Sequence, residues 1–180
     1  MWIYDNMTYL CPMNFNDPDE WFPVVDENGN ITGKALRHVC HDGKSMLLHP
    51  VVHLHLFNTK GDLFLQKRAE TKDIEPGKWD TSVGGHVGLD ESIDAALMRE
   101  AREELGLIKF SPRFLISYIW QSARERELIN SYSTISDDIP ELNKSEIEEG
   151  RYWTLKEINL NLGKNIFTPN FEHEFKLLFY

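Results

Sequence analysis

The stretch GGHVGLDESIDAALMREAREELGL, residues 84–107, decides the fold and contains most of the chemically informative residues of the chain. Glu100, Glu103 and Glu104 stand at i, i+3 and i+4, so on a helix they share one face. Like charges at this spacing cost about 0.2–0.5 kcal/mol per pair. A hard divalent cation removes that cost, and carboxylate oxygens are the ligands that Mg²⁺ and Mn²⁺ prefer. The pattern therefore favours a metal site over the alternative, a solvated acidic face.

Local signals predict how this stretch folds. A glycine-rich loop over residues 84–90 leads into a helix predicted over residues 91–105. Asp90 is the candidate N-cap, and Gly106 fits the left-handed position that ends a helix.

The fixed positions of this stretch resemble the Nudix box, G-x5-E-x7-R-E-U-x-E-E-x-G-U, starting at Gly85 and ending at Leu107. Ala101 is the one soft match, because a bulkier aliphatic residue is common there. The resemblance implies the α/β class, with a Nudix α/β/α sandwich around a central mixed β-sheet. It also implies hydrolysis of a diphosphate linked to another group, with Mg²⁺ or Mn²⁺ as the cofactor.

The resemblance also implies a role for each box position. The acids on the positions that bind the metal or position the attacking water are Glu100, Glu103 and Glu104. The residues on structural positions are Gly85, Glu91, Arg99 and Gly106, of which Glu91 and Arg99 form a salt bridge that holds the loop to the helix. Gly84 lies where Nudix proteins offer a backbone carbonyl to the metal.

A second resemblance, over about residues 48–106, is to the isopentenyl-diphosphate isomerases, a branch of the Nudix superfamily. The positions that match metal ligands of that branch are His49, His86, Glu125 and Glu127. Those that match contacts to the diphosphate are Arg68 and Lys72. Structural alternatives remain for five of the six: a core histidine in a strand for His49, a solvated hairpin tip for the two glutamates, and an exposed surface for the two cations. His53 and His55 share one face of the same strand and are interpreted as structural.

Two departures separate this chain from the isomerases. Their matching segment has a cysteine directly before the Gly-His pair, where this chain has Gly84, and glycine offers no acid or base. They also have other residues at the positions of Glu100 and Glu103. The leading interpretation is therefore a metal-dependent Nudix hydrolase acting on a phosphoanhydride in a small molecule. The alternatives are an isomerase and a Nudix-fold binding protein without catalysis, and the complete acid set argues against the last.

Alternating apolar residues and turn signals predict the strands around the box. They lie at residues 21–25, 31–36, 47–56, 63–66, 114–120 and 128–135, and Thr168-Pro169 predicts the start of a C-terminal helix. The chain has 180 residues, which suits a single Nudix domain over residues 21–180 preceded by an N-terminal extension over residues 1–20.

Composition bounds the partners. The formal net charge of −10 disfavours binding to nucleic acid. The expected partner, a small-molecule diphosphate, is what the Nudix resemblance implies. No apolar run approaches the roughly 20 residues of a membrane span, and no signal peptide is apparent. Cys11 and Cys40 show no zinc-site spacing and are interpreted as thiols of a reducing compartment, with a single disulfide as the alternative. A cytoplasmic protein without a membrane partner is the expectation. The oligomeric state is open, with a homodimer as one expectation because many relatives are dimers.

Overall fold

The computed structural model describes residues 20–72 and 74–180, so the N-terminal extension expected over residues 1–20 lies outside the described residues except at its last position. The strands are β1 (Trp21–Val25), β2 (Ile31–Leu36), β3 (Leu48–Phe57), β4 (Leu63–Arg68), β5 (Trp79–Asp80), β6 (Val83–His86), β7 (Arg113–Gln121), β8 (Arg126–Ile135) and β9 (Ile147–Trp153). The helices are α1 (Arg37–Cys40), α2 (Ile93–Leu105), α3 (Leu155–Asn161) and α4 (Pro169–Phe179). No helix in these ranges is long and apolar enough to span a bilayer.

The long strand β3 is the centre of a seven-stranded sheet. On one side it pairs in parallel with β8 over its whole length, and β7 follows at the edge. On the other side it pairs antiparallel with β6 and, at Phe57, with β4, which continues to β9 and β5. The sheet is therefore mixed, as predicted. The antiparallel hairpin of β1 and β2 forms a separate two-stranded sheet that packs against β3 and β8 through Val25.

Alternation along the strands separates two helical layers, because successive side chains of a strand point to opposite faces. The even-numbered apolar residues 52–56 of β3 pack against α2. Leu63 and Leu65 of β4 pack against Phe171 and Phe175 of α4 on the other face. The result is the α/β/α sandwich that the sequence predicted.

The ends of α2 confirm one predicted cap and correct the other. Gly106 has φ 67° and ends the helix in the left-handed conformation, as expected. Asp90 is not the N-cap and the helix does not begin at Glu91. Ser92, in extended conformation, accepts a hydrogen bond from the Ala95 N–H at 3.2 Å. Asp90 has φ 65°, so it turns the loop and does not lead the chain into the helix.

Thr168 and Pro169 begin α4 as predicted, with the Thr168 hydroxyl accepting from the Phe171 N–H at 3.2 Å. Proline is tolerated at this position because its missing N–H would have no helical partner. Phe171 and Phe175 are fully buried, so α4 is docked on the sheet mainly by these two rings.

Replacing Phe175 by alanine is expected to lower the free energy of unfolding by about 3–5 kcal/mol, because a fully buried ring leaves a cavity. Urea denaturation measures the change. Leu177→Ala is the matched control, since Leu177 lies on the same helix with 46% of its surface exposed, and its expected cost is under about 1 kcal/mol. Equal losses in the two variants would contradict this account of the packing of α4.

Candidate active site

A pocket of about 790 Å³ lies on the sheet face that α4 covers. Val51 and His53 of β3 line it, as do Gly84, Gly85 and His86 of β6. The first residues of α4 and the turn between β7 and β8 close its sides. The pocket therefore lies where the start of the box meets the central strand.

The box acids lie on α2, immediately behind the wall of this pocket. Glu100 and Glu104 are 8% and 5% exposed, and the Glu103 side chain is 15% exposed. One Glu104 oxygen, Oε2, accepts hydrogen bonds from the Gly84 N–H at 3.2 Å and from Gln66 Nε2 at 3.0 Å. Gly84 and Gln66 both line the pocket, so Glu104 is hydrogen-bonded to two residues of the pocket wall.

The glycines at the start of the box make this approach possible. A Cβ on Gly85 would overlap the carboxyl group of Glu100. A side chain at residue 85 would therefore force the Glu100 carboxyl group out of its present position.

The Arg99 guanidinium links the loop to the helix. It forms a two-point ion pair with both oxygens of Glu91, at 2.8 and 2.9 Å, and donates to the His86 carbonyl at 3.0 Å. Its Nη1 atom donates to Glu100 at 2.7 Å and to Glu103 at 3.2 Å. Arg99 therefore forms the expected ion pair with Glu91 and also offsets the charge of Glu100 and Glu103.

Burial makes this acid set costly to ionise. It raises the pKa of Glu100 to about 7, against the opposing effect of Arg99 and with a further contribution from Glu103. Burial, and then the charges of Glu100 and Glu146, raise the pKa of Glu104 well above its ordinary value. A divalent cation would favour the ionised forms, so the donor set fits a hard metal ion.

Glu146 is an acid that the sequence interpretation missed. It lies just before β9, and 8% of its surface is exposed. One carboxylate oxygen, Oε2, accepts a hydrogen bond from Lys72 Nζ at 2.8 Å. The other oxygen, Oε1, is buried without a hydrogen-bond partner in the described structure. Its charge raises the pKa of Glu100 and Glu104. No local signal distinguishes it from the other acids of its loop, because its position depends on the pairing of β9 with β4.

A second group of ligand atoms lies on the pocket side of the sheet. The members are His41, His49, His86 and Glu127, whose ligand atoms all lie within 4.8 Å of one another. Strand register explains most of this, because His49 pairs with Glu127 and its neighbour Val51 pairs with His86. Glu125 lies beside the group, with Oε2 3.5 Å from His41 Nε2.

The chemistry of this group suits a divalent ion. Burial lowers the pKa of His41 to about 3 and of His49 to about 4, so both imidazoles are neutral, as metal ligands must be. His49 Nε2 is buried and, within the described residues, has no hydrogen-bond partner. Burial, reinforced by Glu125, raises the pKa of Glu127 to about 8, a cost that a cation would relieve. Imidazole and carboxylate together are suitable ligands for transition metals.

The sequence interpretation found His49, His86, Glu125 and Glu127 but missed His41. His41 follows the one-turn helix α1 in a segment without periodicity, and only the folding of that segment onto β3 brings it to the group. Phe22 of β1 stacks on His86 with ring centroids 4.5 Å apart, so the first hairpin also helps to enclose the histidines.

Arg68 and Lys72, the predicted diphosphate contacts, both line the pocket. Each is already paired with an acid: Arg68 lies 3.1 Å from Asp80, and Lys72 lies 2.8 Å from Glu146. The pocket therefore brings together the two predicted cations with His86, Glu125 and Glu127, whereas His49 and the box acids lie outside its lining.

Comparison with known proteins identifies the family of this chain. The NUDIX domain model matches residues 47–174. The chain is 32% identical over 162 residues to isopentenyl-diphosphate Delta-isomerase 1 of Photorhabdus laumondii, covering 84% of this chain and 90% of that protein. It is also 32% identical over 162 residues to an uncharacterized Nudix hydrolase of Listeria monocytogenes, covering 85% of this chain and 90% of the relative.

Solved structures agree on the fold. A crystal structure of a Deinococcus radiodurans protein superimposes with a TM-score of 0.78 at 26% identity, covering 89% of this chain and 100% of that one. A MutT protein from Methanosarcina mazei gives a TM-score of 0.64 at 24% identity, covering 73% and 92%. Because the family model matches most of the length of this chain, the chain belongs to the Nudix superfamily. Its relatives include proteins of the isopentenyl-diphosphate isomerase-like branch.

Proposed function

We propose that this protein is a metal-dependent hydrolase that cleaves a phosphoanhydride in a small-molecule diphosphate, with Mg²⁺ or Mn²⁺ as its cofactor. The observation that supports this most is the position of Glu104, which hydrogen-bonds through Gly84 and Gln66 to the wall of a pocket lined by cations. Glu100 and Glu103 complete the acid set next to it on α2.

Different residues bind the diphosphate and accept the proton of the attacking water. Arg68 and Lys72 hold the diphosphate, exchanging part of their contact with Asp80 and Glu146 for phosphate oxygens. A divalent ion held by the box acids would neutralise phosphate charge and lower the pKa of a bound water. Glu104 takes up the proton of the attacking water, while Arg99 keeps the loop and the helix in register.

The isomerase is the second candidate, because a relative at 32% identity has that name and the histidine group contains His49, His86 and Glu127, three of the expected ligands of that branch. The acid–base requirement argues against it. Gly84 occupies the position of the expected cysteine. Cys40 is fully buried against Phe22 and Ala35 and does not line the pocket, and Cys11 lies outside the described residues.

Screening nucleotide, nucleotide-sugar, CoA and prenyl diphosphates for phosphate release with Mg²⁺ or Mn²⁺ tests the proposal. Glu104→Gln is expected to lower the rate on the best substrate by about a hundredfold or more, because it removes the proton acceptor. Glu148→Gln is the matched control, since that acid lies on β9 with its side chain 45% exposed, and it should retain activity. Conversion of isopentenyl diphosphate to dimethylallyl diphosphate by the purified protein would overturn the assignment in favour of the isomerase.

Metal binding should stabilise the folded protein, by about 2.7 kcal/mol at a hundredfold excess over Kd. Thermal melts with Mg²⁺, with Mn²⁺ and with EDTA measure this. Glu103→Gln/Glu104→Gln is expected to lose the Mg²⁺ shift, because Mg²⁺ depends on oxygen ligands, and to keep part of the Mn²⁺ shift through the histidine group. An unchanged Mg²⁺ shift in the double variant, or none in the wild type, would count against a metal site at the box.

A further inference from the structure

A chain of two hydrogen bonds connects the edge strand β7 to the histidine group through the start of α4. The Tyr118 hydroxyl donates to Asn170 Oδ1 at 3.0 Å, and Asn170 Nδ2 donates to Glu127 Oε2 at 3.4 Å. Trp120 lies opposite Glu127 in the pairing of β7 with β8, and Tyr118, two residues earlier, points to the same face of the sheet. The three residues of this chain belong to three elements, so only the docking of α4 brings them together.

The carboxylate of Glu127 has different surroundings at its two oxygen atoms. Glu127 is 6% exposed, so both oxygens need partners inside the protein. Oε1 lies toward the histidine group, 3.8 Å from His86 Nε2. Oε2 accepts the bond from Asn170, the only hydrogen bond to this carboxylate within residues 20–72 and 74–180. The amide therefore holds one oxygen while the other faces the imidazoles.

Tyr118 fixes which way the Asn170 amide faces. An amide has one acceptor side and one donor side, whereas an ionised carboxylate only accepts. Because Oδ1 is occupied by the Tyr118 hydroxyl, the N–H side faces Glu127. A rotated amide would place its carbonyl oxygen against the carboxylate, where neither group can donate.

The stability of α4 does not account for this asparagine. Its side chain does not cap the helix, because Thr168 provides the N-cap hydroxyl, and asparagine is among the less favourable residues inside a helix. The backbone on both sides of Asn170 is nevertheless well fixed. The Thr168 hydroxyl donates to Asp80 Oδ1 at 2.9 Å, and Phe171 is fully buried. A polar side chain held in this way beside a candidate metal ligand is placed to orient that ligand.

We propose that Asn170 is a positioning residue for the metal centre of the histidine group. Its amide holds Glu127 Oε2, so that Oε1 is the oxygen presented to a divalent ion bound by the histidines. Carboxylates that bind metals are commonly oriented by hydrogen bonds from residues outside the ligand set. Tyr118 acts one step further out by fixing the amide. This role does not depend on the reaction catalysed, because Asn170 acts on a metal ligand and not on the substrate.

Titration of the EDTA-treated full chain with Co²⁺ tests the proposal, because the visible absorption of Co²⁺ reports both its affinity and its ligand geometry. Excess Mg²⁺ occupies the box acids, which offer only oxygen ligands. Asn170→Leu is expected to weaken Co²⁺ binding by about ten- to hundredfold and to change the spectrum, because Glu127 can then turn away. Tyr118→Phe leaves the amide in place and should weaken binding by a smaller factor, about threefold.

Glu172→Gln is the matched control for damage to the helix. It removes a charge from the first turn of α4 and should leave the Co²⁺ affinity within about twofold of the wild type. No Co²⁺ binding by the wild type, or an unchanged affinity and spectrum in Asn170→Leu, would overturn the proposal. Equal losses in Asn170→Leu and Glu172→Gln would do the same, since they would indicate a role in helix docking alone.

Side-chain amide NMR of the wild type adds a test that needs no variant. Zn²⁺ is diamagnetic and binds to imidazole and carboxylate ligands. It should shift the NH₂ signals of Asn170 and leave those of Asn161 in place, because the Asn161 amide donates to a backbone carbonyl of α3. Unshifted Asn170 signals at saturating Zn²⁺ would refute the proposal even if Asn170→Leu fails to fold. Co²⁺ affinity that depends on Asn170, without hydrolysis of any diphosphate, would support this inference and refute the proposed function.

Discussion

The ion pair between Arg99 and Glu91 is the interaction on which the rest of the site depends. Burial alone would lower the pKa of Arg99, but its bonds to Glu91 and Glu100 raise it above its ordinary value, so the guanidinium stays charged. Because the same group also binds the His86 carbonyl, it fastens the loop and the end of β6 to α2. Without it, Glu100 and Glu103 would lose the guanidinium that donates hydrogen bonds to both of them.

The central strand β3 relates the two candidate centres. Its even-numbered residues pack against α2, which bears the box acids, and its odd-numbered residues face the pocket and the histidine group. The centres therefore lie on opposite faces of the sheet, and the approach between them is through Gly84 and Gly85, where no side chain intervenes. This geometry explains why one pocket can be bordered by a histidine group and also be reached by carboxylates from behind.

Charge balance in the pocket is local. The formal net charge of the chain is −10, yet the pocket is lined by arginine and lysine side chains paired with acids. Under the proposed function, an incoming diphosphate would exchange those acids for phosphate oxygens, and a divalent ion would offset the charge of the box acids. An acidic protein can thus bind an acidic ligand, because the field at the site depends on nearby groups more than on total charge.

By itself, the sequence determined the α2 stretch and the end of the helix at Gly106, because these follow from spacing and from local backbone preferences. It indicated the ion pair of Glu91 with Arg99 and the mixed sheet only through resemblance to the Nudix family. It also identified His49, His86, Glu125 and Glu127, but only through family resemblance. It missed His41 and Glu146 and misplaced the N-cap at Asp90, since short polar segments have no periodicity to read. Only the tertiary structure could bring His41 to β3, Glu146 to α2 and Asn170 to Glu127. Such contacts join residues far apart in the chain, and strand register and helix docking, not local pattern, decide which of them meet.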